Sequence, residues 1–310
     1  MTIRAPILIA GPTASGKSAL ALALAERLGG TIINADAMQV YRELRVLTAR
    51  PGEAETERAP HRLYGHVPGA EAYSAARFAS EAAAAIAEAQ QAGRVPIVVG
   101  GTGLYFTALT EGLSPIPSIP DDIRTHWRDR AAEIGPAALH AVLAERDPEM
   151  AARLRPTDPQ RLVRALEVLD ATGVSLAGWQ AKPGEPVVRW EEGRAFVVSR
   201  ERDELNARCD ARFDAMIAEG AIEEVGALLQ LGLDPDLPVM RALGVKPLAD
   251  ALGGRMSVEA ASEAAKTETR RYVKRQMTWL RRNMMSWKWI NTQQMEIFAS
   301  EFDNYGKVSR

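Results

Sequence analysis

The stretch Gly11-Pro12-Thr13-Ala14-Ser15-Gly16-Lys17-Ser18 follows the short apolar run Ile7-Leu8-Ile9-Ala10 and runs into a helical segment. A Gly-x4-Gly-Lys-Ser loop between a strand and a helix commits its surroundings to an α/β core of the P-loop type. The glycines let the backbone curl until several N–H groups point at one bound anion. Lys17 adds a mobile positive charge, and the Ser18 hydroxyl is the expected ligand for a Mg²⁺ held by the same phosphates. The helix expected over residues 17–28 directs its positive dipole end at the anion, and Gly29-Gly30 is expected to end it. A glycine turn that matched by chance would lack the flanking strand and helix. The loop specifies phosphate binding and leaves open whose phosphates are bound.

The rest of the chain extends this core. Apolar runs at 31–34 and 95–99 read as further buried parallel strands, with an alanine-rich helix over 73–91 between them, stopped at Gly93. A fourth strand candidate, 194–199, comes only after a long interval. That interval opens on Pro115, Pro117 and Pro120 and closes on Lys182-Pro-Gly-Glu-Pro186. Within it, Asp158 caps and Pro159 starts a helix that Gly173 ends. The expected organisation is a core of residues 1–113 and 190–310 interrupted by an inserted helical domain, 114–189. Helices are expected at 203–218, 222–231 and 258–283, and the tail beyond Trp289 shows no clear pattern.

Composition narrows the function. Of 310 residues, 46% are hydrophobic and 25% charged, as in an ordinary globular protein. One cysteine, Cys209, rules out an internal disulfide and a multi-cysteine zinc site, and the four histidines show no metal spacing. No signal-peptide pattern and no membrane-spanning run appear, so a cytoplasmic protein is expected. The net charge of −2 hides a local polarity, since Arg270, Arg271, Lys274, Arg275, Arg281, Arg282 and Lys288 crowd one segment. Arg270, Lys274 and Arg281 fall on one helical stripe that suits an RNA backbone, with Val273, Met277, Leu280 and Met284 as the core stripe.

A nucleotide hydrolase would end a second apolar strand in a carboxylate. Here 95–99 ends in Gly100-Gly101-Thr102-Gly103, and the acid follows the other strand, as Asp36. That places Asp36 at the carboxyl end of a strand beside the phosphate loop, where open α/β sheets bind ligands. An aspartate there can cap a helix, order Mg²⁺ or act as a general base, and the residues alone leave all three open. Arg50 adds a cation that either approaches the phosphates or is solvated.

Eight separated motifs together resemble one family, the bacterial tRNA dimethylallyltransferases, over most of the chain. They are the phosphate loop, Asn34-Ala-Asp-Ala-Met-Gln-Val-Tyr41, Thr48-Ala-Arg-Pro51, Pro60-His-Arg-Leu63, Val99-Gly-Gly-Thr-Gly-Leu-Tyr105, Asp158-Pro-Gln-Arg-Leu-Val-Arg-Ala-Leu-Glu-Val168, Arg241-Ala-Leu-Gly244 and Lys274-Arg-Gln-Met-Thr-Trp-Leu-Arg281. The resemblance implies transfer of a dimethylallyl group from its diphosphate to N6 of the adenosine 3′ of the anticodon, with Mg²⁺ as cofactor. It implies that the phosphate loop, a nucleotide-binding pattern, holds the isoprenoid diphosphate rather than ATP. Asp36 matches the catalytic aspartate, Thr102 a threonine near the reacting amine, and Arg212 an arginine on the diphosphate beside Lys17. The matching tRNA contacts are Asp36, Ala37, Met38, Gln39, Thr102, Arg124, Gln160, Arg161, Leu162, Val163, Arg164, Arg241, Ala242, Leu243, Gly244, Val245 and Lys246. The expected partners are the tRNA anticodon stem-loop and dimethylallyl diphosphate, with no membrane, and the chain is expected to act as a monomer. Two departures stand out: Ala37 where serine is usual, and Leu47 where glycine is.

Other readings remain at this point. Gln160 and Arg164, at i and i+4, with Arg161, form a face that is otherwise a plain solvated one. Trp279, Trp287 and Trp289 read as packing residues, Cys209 as inert and His61 as structural. A small-molecule kinase would explain the phosphate loop but not the basic C-terminal half. A prenyltransferase of free adenine nucleotides would not need the Gln160–Arg164 helix. A non-catalytic tRNA-binding protein would use the loop only as an anion clamp.

Overall fold

The computed structural model describes residues 5–190 and 194–291. The chain divides into two compact units, one formed by Met1–Thr110 with Val187–Arg310 and the other by Glu111–Pro186.

The first unit is built on a sheet of six parallel strands. In chain order its elements begin β1 (Ile7–Ala10), α1 (Lys17–Leu28), β2 (Gly30–Asn34), α2 (Glu53–Arg58), β3 (His61–Arg62), α3 (Ala75–Gln91), β4 (Val95–Gly100) and α4 (Gly103–Thr110). The second unit follows with α5 (Asp121–Arg146), α6 (Pro148–Arg153), α7 (Pro159–Thr172) and α8 (Leu176–Gln180). The chain then returns to the first unit through β5 (Ala195–Ser199), α9 (Arg202–Ala218), α10 (Ala221–Gln230), α11 (Val245–Leu252), α12 (Val258–Asn283) and β6 (Lys288–Asn291). The strand order is β3-β2-β4-β1-β5-β6, with Ile9 beside Val99 and Ala10 beside Val197.

Alternation along the strands makes two cores. Ile7, Ile9, Ile32, Ile97, Val99, Phe196 and Val198 face Leu20 and Leu24 of α1. Leu8, Ala10, Ile33, Val98 and Val197 turn to the opposite side, against Phe78 and Ile86 of α3, Phe106 of α4 and Leu280 of α12. A parallel sheet covered on both faces brings β1, β2, β4 and β5 to one carboxyl edge. The residues that leave this edge are the phosphate loop, Asp36, the Gly101 turn and Arg200.

The helix stops follow local chemistry. Gly29, with φ 61°, closes α1, whereas Gly30, expected as part of that stop, is already the first residue of β2. Asp158 caps α7 by accepting the N–H of Arg161, and Gly173 ends it with φ 67°. In the second unit, Leu139, Leu143, Leu162, Ala165 and Leu166 form a separate core from α5 and α7. Gly135, with φ 75°, breaks α5 in the middle. The tail that showed no pattern contributes β6, which pairs Trp289 with Val197. Residues 292–310 of that tail lie outside the described residues.

Candidate active site

The phosphate loop is held open by cations outside it. Arg208 donates from Nε to the Ala14 carbonyl and Arg200 donates from Nε to the Ser15 carbonyl, each at 3.0 Å. With two carbonyls turned outward, the N–H groups at the start of α1, which have no intrahelical acceptors, face the cradle. Ala14 and Gly16 take positive φ of 63° and 94° to make this curl. Gly11 has a different reason: a methyl there would lie 2.6 Å from the Val198 carbonyl and 2.7 Å from Ser15 Oγ. Ser15 Oγ is buried without a hydrogen-bond partner, as a hydroxyl waiting for an anionic acceptor would be.

Two cations share the cradle. Lys17 Nζ donates to the Pro12 carbonyl at 3.2 Å. Burial pulls its pKa down to about 8, against the opposing pull of Asp36, and the positive charge of Arg212 lowers it further. Arg212 of α9 forms no hydrogen bond or ion pair among the described residues. Burial lowers its pKa too, while Cys209 and Asp36 favour its charge. Lys17, Arg212 and Asp36 thus lie within electrostatic reach of one another. Ser18, in the first turn of α1 directly after Lys17, is exposed. Among the described residues no group of three or more His, Cys, Asp or Glu side chains is arranged to hold a metal ion. A Mg²⁺ here would therefore take the Ser18 oxygen together with substrate phosphate oxygens and water, a hard-oxygen set that suits it.

Asp36 is fixed from both sides. Asn34 accepts the Asp36 N–H at 2.9 Å and donates from Nδ2 to the carbonyls of Asp36 and Leu63, each at 3.0 Å. Asp36 Oδ1 accepts the Met38 N–H at 3.0 Å. Oδ2 points to the Gly101 turn, where an added methyl would stand 3.6 Å from it. Thr102 Oγ1 accepts the Ala37 N–H at 3.0 Å, so the site threonine and the Asp36 segment are locked together. The run of small residues after β4 has a packing cause. A methyl on Gly100 would lie 2.0 Å from the Ala35 carbonyl, and one on Gly103 would lie 2.2 Å from the Trp279 ring.

Several sequence expectations are amended. Arg50 neither points freely into solvent nor stands among the residues around Lys17: its Nη1 donates to the Tyr41 carbonyl at 3.0 Å and packs over Gly65. Arg270 is not a free RNA contact, because it pairs with Asp210 of α9 at 2.7 Å and also bonds Thr267. The buried stripe of α12 is Thr269, Val273, Gln276 and Leu280, and Met277 is only half-buried. Lys274 and Arg281 are exposed and, with Arg200, Arg202 and Arg271, line a basic cleft of about 1230 Å³. Leu47 fills space against Gly244, where a methyl would lie 3.0 Å from its Cδ1.

The remaining candidates fall in two places. In the first unit, Gln39 donates to the carbonyls of Thr48 and Ala49. Ala242, Gly244 and Val245 are buried, whereas Arg241 and Lys246 are exposed beside Asp236 and Asp250. In the second unit, Gln160 and Arg161 are exposed on α7, Arg164 is half-buried beside Glu167, Arg124 lies 3.9 Å from Asp121, and Leu162 belongs to the core. The exposed pairs of Arg124, Arg241 and Lys246 are worth about 0–1 kcal/mol each, so these cations can exchange a carboxylate for a phosphate, whereas Arg164 faces the buried Glu167. Cys209 is buried with its Sγ 3.9 Å from the Thr13 carbonyl, and His61 bonds the Ala59 carbonyl through Nδ1.

Sequence reasoning left Arg200, Arg208, Tyr272 and Gln276 without a role. Gln276 carried a visible signal, since a polar residue four before Leu280 and three after Val273 sits on an apolar helical face.

Known proteins match this architecture along its length. A family model described as IPP transferase covers residues 39–283, and one described as isopentenyl transferase covers residues 5–66. A tRNA dimethylallyltransferase of Parvibaculum lavamentivorans is 54% identical over 295 residues, spanning 95% of this chain and 93% of its own. One from Agrobacterium fabrum is 53% identical over 287 residues, 93% of this chain and 96% of its own. Among solved structures, the full-length tRNA isopentenylpyrophosphate transferase of Bacillus halodurans is 31% identical with a TM-score of 0.66, covering 98% of this chain and 99% of its own. A eukaryotic dimethylallyltransferase acting on tRNA has a TM-score of 0.80 at 27% identity, covering 98% of this chain and 80% of its own. With more than half of the aligned residues identical to those of such enzymes nearly end to end, the chain belongs to the tRNA dimethylallyltransferase family.

Proposed function

We propose that the protein transfers a dimethylallyl group from dimethylallyl diphosphate to N6 of the adenosine 3′ of the tRNA anticodon, with release of diphosphate. The observation that carries this reading is an anion cradle with two half-buried cations, Lys17 and Arg212, within electrostatic reach of a carboxylate whose Oδ2 is free. The C1–O bond to diphosphate breaks as the N6–C1 bond forms, and the N6 proton passes to Asp36. The departing charge falls on the loop N–H groups, Lys17 and Arg212. Mg²⁺ held at Ser18 would supply further charge neutralisation to the same oxygens. The adenine must leave its stack to reach Asp36, which favours an unpaired loop as substrate. Arg124, Gln160, Arg161 and Arg164 of the second unit, and Arg241, Lys246 and the basic cleft of the first, are cations and donors suited to RNA phosphates. We assign the work to a monomer in the cytoplasm; among the described residues no helix is long and apolar enough to cross a membrane.

The test is transfer itself. Purified protein, Mg²⁺, labelled dimethylallyl diphosphate and unmodified tRNA should place label on the loop adenosine. Label entering free AMP instead, or thermal protection by ATP without protection by dimethylallyl diphosphate, would overturn the assignment.

Lys17 gives the reaction a pH signature. Its ammonium is charged below about 8 and is lost as pH rises through that value. In the free enzyme kcat/KM for the diphosphate substrate should therefore fall above pH 8, whereas kcat should not, because bound diphosphate restores the proton. Lys17→Arg, charged throughout, should flatten this limb; a limb unchanged in that variant would remove Lys17 as its source.

A further inference from the structure

We propose that Gln276 is a positioning residue whose side-chain amide ties the diphosphate cradle to the base site. The proposal rests on the transfer reaction assigned above. Gln276 lies on the buried stripe of α12 and is 6% exposed. Its Oε1 accepts the Thr13 N–H at 3.0 Å, and its Nε2 donates to the Gly101 carbonyl at 3.0 Å. The two partners belong to the loops after β1 and β4, so one amide joins segments far apart in sequence.

The orientation of the amide is dictated, because an N–H on one side and a carbonyl on the other admit no flip. A methyl at Gly101 would lie 2.4 Å from Nε2, so the Gly101 turn abuts the amide directly. One helical turn earlier, the Tyr272 side chain lies near those of both Gln276 and Thr102. Thr102 in turn holds the Ala37 N–H, next to Asp36. The chain of contacts runs from the phosphate loop through α12 to the carboxylate.

Gln276 does not touch Asp36, and within the phosphate loop its only hydrogen bond is to the Thr13 N–H. It turns the Thr13 N–H toward the helix, leaving the later loop N–H groups to the diphosphate. It also sets the height of the Gly101 turn beside Asp36 Oδ2. Misplacing reacting groups by about 1 Å costs on the order of 100-fold in rate.

Glutamate provides a switchable substitute. A protonated carboxyl has an acceptor and a donor where the amide has them, whereas the ionised form cannot donate to the Gly101 carbonyl. At about pH 8 Gln276→Glu should lose roughly 100-fold in kcat/KM for dimethylallyl diphosphate. The loss should shrink, relative to wild type at each pH, as pH falls toward about 6, because burial raises a carboxyl pKa. Gln276→Leu should show the loss at every pH. Affinity for tRNA should stay within twofold in both variants. A parallel binding measurement with inorganic diphosphate, expected to weaken with the same pH pattern, reads the cradle without any transfer.

Far-UV circular dichroism and a melting curve establish that each variant is folded. A folded Gln276→Leu with wild-type kcat, KM and diphosphate affinity would overturn the proposal, as would a Gln276→Glu deficit independent of pH. If wild type transfers nothing while diphosphate binding still follows the pH pattern, the transfer reading fails and the role of Gln276 in the cradle stands.

Discussion

Asp36→Asn is expected to lower kcat about 10²–10⁴-fold, the range over which a positioned general base contributes. The lone pair of adenine N6 is delocalised into the ring, so the amine becomes a good nucleophile only as its proton leaves. Asp36 offers one oxygen for that proton. Its Oδ1 is engaged by the Met38 N–H, and Oδ2 faces the Gly101 turn. Asparagine keeps the Met38 bond and the shape but presents an amide that cannot accept the N6 proton. A second effect separates loss of the base from a merely damaged site. Asp36 is the negative partner of Lys17 and Arg212, and its removal leaves the pocket more positive. The KM for dimethylallyl diphosphate should therefore fall while kcat collapses. Steady-state kinetics on unmodified tRNA checks both. A kcat within threefold of wild type would remove Asp36 as the base, and a large rise in KM with kcat preserved would make it a structural residue.

Much of the sheet was legible because buried parallel strands are written as short apolar runs. The strands over 7–10, 31–34, 95–99 and 194–199 all appear within a residue or so of their expected limits. Helices with strong stops, such as α7 between Asp158 and Gly173, were equally plain. β6 was hidden because its side chains lie at the sheet edge, where Lys288 and Asn291 are exposed and only Ile290 is fully buried. On the α12 segment the expected core stripe held at Val273, Leu280 and Met284, which are buried, and failed only at Met277, where the polar Gln276 takes the buried position. Periodicity counts apolar residues, and a buried amide satisfied by two backbone groups is invisible to it. The same limit applies to charge. Arg270 belongs to a basic run in sequence, but a carboxylate sixty residues earlier, Asp210, claims it. Conversely, the motif placed Asp36 and Lys17 near one another, whereas the cations that brace the loop from outside, Arg200 and Arg208, came from a segment with no motif of its own.

Arg212→Met should uncouple stability from activity in opposite directions. Arg212 is half-buried, and no hydrogen bond or ion pair holds its guanidinium among the described residues. Burial works against its charge, as does Arg208, and the pull of Asp36 only partly offsets this. A cation kept in that condition is poised for an anion that the substrate brings. Methionine retains a flexible apolar stem in the same space and removes the charge. The ligand-free variant should therefore melt higher, by roughly 2–4 °C if about 1 kcal/mol is recovered in a unit of 150–250 residues. Its kcat/KM for dimethylallyl diphosphate should fall about 10²–10³-fold, as when one preorganised donor to a developing anion is removed. Arg212→Lys should recover part of the rate but not all, because an ammonium keeps the charge and loses the planar fork that fits two phosphate oxygens. Inorganic diphosphate should raise the melting temperature of the wild type much more than that of Arg212→Met, since only a ligand bound to the native state stabilises it. A variant less stable than wild type yet equally protected by diphosphate would show that Arg212 holds the fold and not the leaving group.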